Sequence, residues 1–161
     1  MTGLGLLVLR LTLAVGFVAH GAHTLFGVWG GPGIGPGGVT SMGAFYSSLG
    51  LEPGTLLAFV AGVIQLAGGV LLGLGWLTRW ASVALGAYIG IGLWKVHLHW
   101  GFFLNWMGVA DRREGMEYSI LMAGALLCLF LAGGGDWSVD GRRSHRAARE
   151  AAGRARLRGK V

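Results

Sequence analysis

The sequence predicts an all-α integral membrane fold, a four-transmembrane-helix bundle with a glycine/proline-rich loop between helices 1 and 2. Three observations lead there. Residues Gly54 to His99 hold two apolar runs of about 20 residues joined at Thr78 and Arg79, each enough to cross a hydrocarbon core of about 30 Å. The composition is 53% hydrophobic and only 12% charged, with a mean hydropathy of +0.62. Glycine, at 32 of 161 residues, weakens helices in water but lets helix backbones approach closely in lipid.

Helix 1 is expected from Leu4 to Phe26. Arg10 lies about 10 Å from its start, within snorkelling reach of the interface. A cleaved secretory signal, with Leu11 to Ala19 as its apolar region, lacks a basic leader apart from Arg10, so helix 1 is expected to stay. Residues Gly27 to Gly54 hold all three prolines and no Lys or Arg. Within them Thr40 to Leu49 reads as a short amphipathic piece carrying Met42, Phe45, Tyr46 and Leu49, lying on the membrane surface or capping the bundle.

Helix 2 follows from Thr55 to Trp76 and helix 3 from Trp80 to about Trp100. The glycine pairs Gly69 with Gly73 and Gly86 with Gly90 favour close helix packing. Trp76, Trp80, Trp100 and Trp106 fall at helix ends, where indole rings prefer the membrane interface. The connection Gly101 to Met116 carries two acids and two bases. Helix 4 runs from Glu117 to about Ala132, short for a span. The domain division is 1–140 for the membrane bundle and 141–161 for a basic tail.

The net charge of +6 is concentrated in that tail, where eight of the 13 Lys and Arg lie between Arg142 and Lys160. Tethered to a membrane domain, the tail reads as disordered or as a surface helix held by anionic lipid, and not as a nucleic-acid binder. The positive-inside rule places it in the cytoplasm. Four helices then return the N-terminus to the same side, with Arg79 at a cytoplasmic turn. Cys128 is the sole cysteine, so no internal disulfide, CxxC pair or cysteine-rich zinc site is available.

These helix directions bring His20, His23, Lys95, His97, His99, Glu117 and Tyr118 to similar depth in the outer half, with Gln65 deeper. Lys95 and His99 share one helix face and His97 points nearly opposite, so His97 is the residue expected to face the interior while Lys95 or His99 reaches toward head groups. Three readings compete for the cluster: structural hydrogen bonding, a metal or haem held by His20, His23 and His97, and a pocket for a small polar or quinone-type ligand. HxxH and HxH are short patterns of low specificity, so no metal site is assigned. The ligand-binding candidates are His20, His23, Gln65, His97, Glu117 and Tyr118, with Arg10 and Arg79 as structural polar residues.

The segments LRLTLAVGFVAHG (Leu9 to Gly21), LFG (Leu25 to Gly27), AGVIQLAGGVLLGLGWLTR (Ala61 to Arg79), VH (Val96, His97), GFF (Gly101 to Phe103), EYS (Glu117 to Ser119) and DWSVD (Asp136 to Asp140) together resemble the DoxX family of four-helix bacterial membrane proteins. The resemblance implies a small protein of the bacterial inner membrane, related to the quinone-reducing membrane subunit of thiosulfate:quinone oxidoreductase. It also implies relatives that serve as membrane parts of assemblies handling oxidative stress. Where the family commonly has a lysine before Leu-Phe-Gly and an acid in helix 2, this chain has Thr24 and Gln65. Exchanging both for neutral groups leaves no stranded charge but removes a proton-relay acid.

Two functions are therefore expected. One is a redox-system membrane subunit in which His20, Gln65 and His97 line a quinone site, with a membrane-protein or redox-complex partner and no intrinsic cofactor evident beyond the quinone. The other is a non-catalytic scaffold or accessory subunit packed against a larger membrane complex.

Overall fold

The computed structural model describes residues 2–30 and 35–158. Among them the chain is all-helical: α1 (Thr2–Phe26), α2 (Gly38–Ser48), α3 (Gly54–Leu74), α4 (Thr78–Gly92), α5 (Glu117–Ala132) and α6 (Val139–Arg158). A π-helical turn (Leu93–His97) and a 3-10 turn (Leu98–Trp100) prolong α4. Three helical stretches are long and apolar enough to cross a membrane, Gly3–Phe26, Gly54–Leu74 and Thr78–Trp100, while α5 is apolar but has only 16 residues. Leu4, Val8, Leu11 and Val15 form an exposed stripe at helical spacing along α1, the surface a helix turns toward acyl chains. The chain is a multi-pass membrane protein.

α1 packs along α3, and α4 along α5. Glycine sets the first contact: a Cβ on Gly21 would sit 2.5 Å from the Leu66 backbone nitrogen, and one on Gly69 would sit 2.9 Å from that of Val18. The expected pairing of glycines holds in part. Gly69 lies against α1, whereas Gly86 and Gly90 meet nothing within 4 Å, so this pair does not pack inside the chain. Leu13, Ala14 and Phe17 of α1, Leu72 of α3, Leu85 of α4 and Leu129 of α5 belong to one buried cluster, which fills the end of the bundle nearest the α3–α4 turn.

That end is tied by side chains that close helix termini. α3 stops at Gly75, whose φ of 66° is a left-handed conformation open to glycine at little cost. The space a Cβ would need there is taken by the Arg10 guanidinium and Ser138. Arg10 donates from Nη1 to the carbonyls of Leu72 (3.2 Å) and Gly73 (3.4 Å), and from Nη2 to that of Trp137 (2.8 Å). Asp140 accepts from the backbone N–H groups of Leu77 (3.0 Å) and Thr78 (2.9 Å) and from the Thr78 hydroxyl (2.9 Å). A cation thus meets the carbonyl end of α3 and an anion meets the N–H end of α4, the signs that helix dipoles favour.

One expectation changes here. Arg10 does not snorkel outward: it is 0% exposed, because three backbone carbonyls hold it inside. Of the two readings of the tail, the structure has the helix, Val139–Arg158. Arg79 donates to the Leu131 carbonyl (3.1 Å), closing α5 onto the start of α4.

Candidate functional site

At the opposite end the helices part. α2 packs on α3 through Gly43, where a Cβ would lie 2.7 Å from the Thr55 Cα, and it leaves a cavity of about 610 Å³ between itself, the first half of α3 and the second half of α4. The walls are apolar, with Met42 and Phe45 from α2 and Leu49 just after it facing Val60 and Ile64 of α3. Val60, Ala84, Ala87 and Ile91 are exposed along it, so it is a groove open on the flank of the bundle. The amphipathic stripe read from α2 is therefore the face that covers this groove.

Few polar groups line it: the phenols of Tyr46 and Tyr88, then Lys95 and His97 at the far end. Burial pushes the Tyr46 phenol above its ordinary pKa, only partly offset by Tyr88. Lys95 and His97 both sit on the π-helical turn, a feature frequent at functional sites. Regular helical spacing put them on opposite faces, yet both reach the groove. The Lys95 ammonium rests 4.7 Å from the centroid of the Trp94 ring.

His97 also borders a second hollow of about 450 Å³, lined by Asn105, Trp106, Glu114 and Tyr118 among others. Its Nδ1 lies 2.9 Å from the Glu114 carbonyl. A carbonyl oxygen only accepts, so Nδ1 carries the hydrogen and Nε2 is left to the site. Asn105 organises this loop through its side chain, donating to the carbonyls of Val109 and Arg112 and accepting from the Val109 N–H. Glu117 accepts from the Leu104 N–H at 3.3 Å, which ties the loop to the start of α5.

The other sequence candidates are dispersed. His20 is exposed on the outer side of α1 and lines neither hollow. His23 is 5% exposed, with Nδ1 held 3.0 Å from the Val28 carbonyl, its ring against Gly37 and its Nε2 without a partner among the described residues. Gln65 is 1% exposed and spends its amide N–H on the Ala61 carbonyl one turn earlier, at 3.2 Å. Thr24 is buried beside Gly62, also away from the groove. The quinone site expected from His20, Gln65 and His97 is thus not one constellation. His97 joins Tyr118 in the second hollow, and joins Tyr46, Tyr88 and Lys95 in the groove.

Sequence reasoning passed over Tyr88 and used Tyr46 only as a member of an apolar stripe. The signal for Tyr46 was its place on that stripe, since a phenol on a buried face needs a partner. No three His, Cys, Asp or Glu side chains come together as a metal-binding group among the described residues.

No curated protein and no solved structure matches the chain. A family model does match, over residues that take in α1 to α4 and the π-helical turn with Lys95 and His97, and stop short of α5. The match to DoxX covers residues 5–98, more than half of the chain, and the chain belongs to the DoxX family.

Proposed function

We propose that the chain is a membrane subunit of a redox system and that its flank groove holds a quinone-type ring. One observation carries the reading: an apolar groove open on the flank of a membrane bundle, with two phenols, Lys95 and His97 as its polar groups. A lipid-soluble ring reaches such a groove sideways from the bilayer, and its carbonyl oxygens find donors there. In this reading α5 is the fourth span, 1–140 is the membrane domain, and 141–161 is a cytoplasmic basic tail in a bacterial inner membrane. Anionic head groups are the tail's partner. Arg143 stacking 5.7 Å from the Trp76 ring supports this, since it holds α6 at the level where interfacial indoles sit.

Replacing Ala87, on the groove wall, with tryptophan fills the space while every polar residue of the lining is kept. The folded wild-type chain should carry quinone into a lipid extract, visible by ultraviolet absorbance, and Ala87→Trp should carry far less. Equal amounts in both would remove the groove from the proposal.

A scaffold role is the second reading, supported by Gly86 and Gly90, which leave a flat strip with nothing against it. Under that reading the double Gly86→Leu, Gly90→Leu change, and not Ala87→Trp, dissociates the chain from a larger membrane complex on native gels.

A further inference from the structure

Among the residues lining the groove there is one permanent cation, Lys95, and no acid. Among the described residues Lys95 makes no ion pair; the three pairs present all lie at Asp136 and on α6. The acids at this end are engaged elsewhere. Glu52 accepts from the Gly54 N–H (3.0 Å), Glu117 from that of Leu104, and Glu114 from that of Asn105, while Asp111 is exposed and lines neither hollow. A second cation, Arg113, lies 5.3 Å over the ring of Phe45, itself a lining residue. The charge carried by the lining residues, and by Arg113 over Phe45, is therefore positive, and Tyr46 and Tyr88 line the same space.

An ammonium beside an apolar membrane groove, resting on an indole ring with no carboxylate paired to it among the described residues, is costly to bring inside unless an anion joins it. Its four-carbon stem lets the ammonium swing from Trp94 into the groove. We propose that the groove selects an apolar body carrying an oxyanion, with Lys95 as the specificity-determining residue. This rests on the same groove as the quinone-type reading and narrows it: a ring with an ionised hydroxyl is preferred over a neutral ring of the same shape. The same chemistry is offered by the carboxylate of a fatty acid.

Two matched pairs of probes separate these sources: a 2-hydroxy-1,4-naphthoquinone, ionised at pH 7, against its methyl ether, and dodecanoate against dodecanol. Binding is read by equilibrium dialysis against the full chain in nanodiscs of neutral lipid, with empty nanodiscs subtracted. The anionic member of at least one pair should bind about tenfold more tightly, the gain of one charge-assisted contact. Lys95→Met should erase that preference and Lys95→Arg should keep it. The wild-type comparison stands alone if a variant fails to fold.

A quinone pair that binds with no preference for the anion, with no preference in the fatty-acid pair either, overturns this inference and leaves the quinone-type reading in place. Selectivity in the fatty-acid pair with no quinone binding upholds this inference and overturns that reading. If no probe binds, both fall.

Discussion

The two ends of the bundle use polar side chains in opposite ways. At the α3–α4 turn Arg10, Thr78 and Ser138 are fully buried, and the guanidinium and the Asp140 carboxylate are spent on backbone groups of neighbouring segments. At the other end Lys95 and His97 are half-buried on a π-helical turn, and the Lys95 ammonium faces a ring instead of a carboxylate. The contrast separates charges that stabilise from charges that remain available to a ligand. Buried ionisable groups in a membrane protein are functional by default, yet Arg10 shows that the default yields when three backbone carbonyls accept from the two ends of the guanidinium fork, even with Nε left without a partner among the described residues.

Breaking the tied end should have the largest effect. Arg10→Ala strips buried carbonyls of a charged donor and should lower stability by about 3 kcal/mol or more, measured by denaturant titration in detergent. Wild-type stability in that variant would show that the carbonyls are satisfied without the guanidinium. Asp140→Ala removes the acceptor for the first N–H groups of α4 and should cost about 1–2 kcal/mol in the same assay. A null result there would make α6 incidental to the bundle. The smallest stability change is expected at the groove: Tyr88→Phe should cost about 1 kcal/mol or less while weakening ligand retention. A loss as large as that of Arg10→Ala would mean that both ends serve stability alike.

How much of this could be read from the chain divides along the same line. Helix positions were legible because apolar runs of spanning length admit few alternatives, and α5 begins and ends at Glu117 and Ala132, where it was expected. The cover over the groove was legible in Met42, Phe45, Tyr46 and Leu49, spaced three and four apart. Helix rotation was not. Where nearly every side chain is apolar, periodicity says little about which face turns inward, so His20 and Gln65 were assigned to a shared site that the fold does not build. The π-helical turn adds a residue to one turn of helix and brings Lys95 to the same groove as His97, against the phase that regular spacing implies. Arg10 was misjudged for another reason. Its best acceptor, the Trp137 carbonyl, lies 127 residues away, beyond any local pattern.

That distance also sets an order of events during synthesis. Arg10 enters the membrane with the first helix, while one of its acceptors belongs to a residue made after the last apolar helix. Chains grow from the N-terminus at about 5–20 residues per second, so for some seconds the guanidinium must be accommodated by water, lipid head groups or an insertion factor. A chain cut short before Trp137 keeps the Leu72 and Gly73 acceptors but leaves the Nη2 end of the guanidinium without its own. The arginine thus distinguishes finished from unfinished copies, and truncated chains are the ones a membrane quality-control protease should clear first.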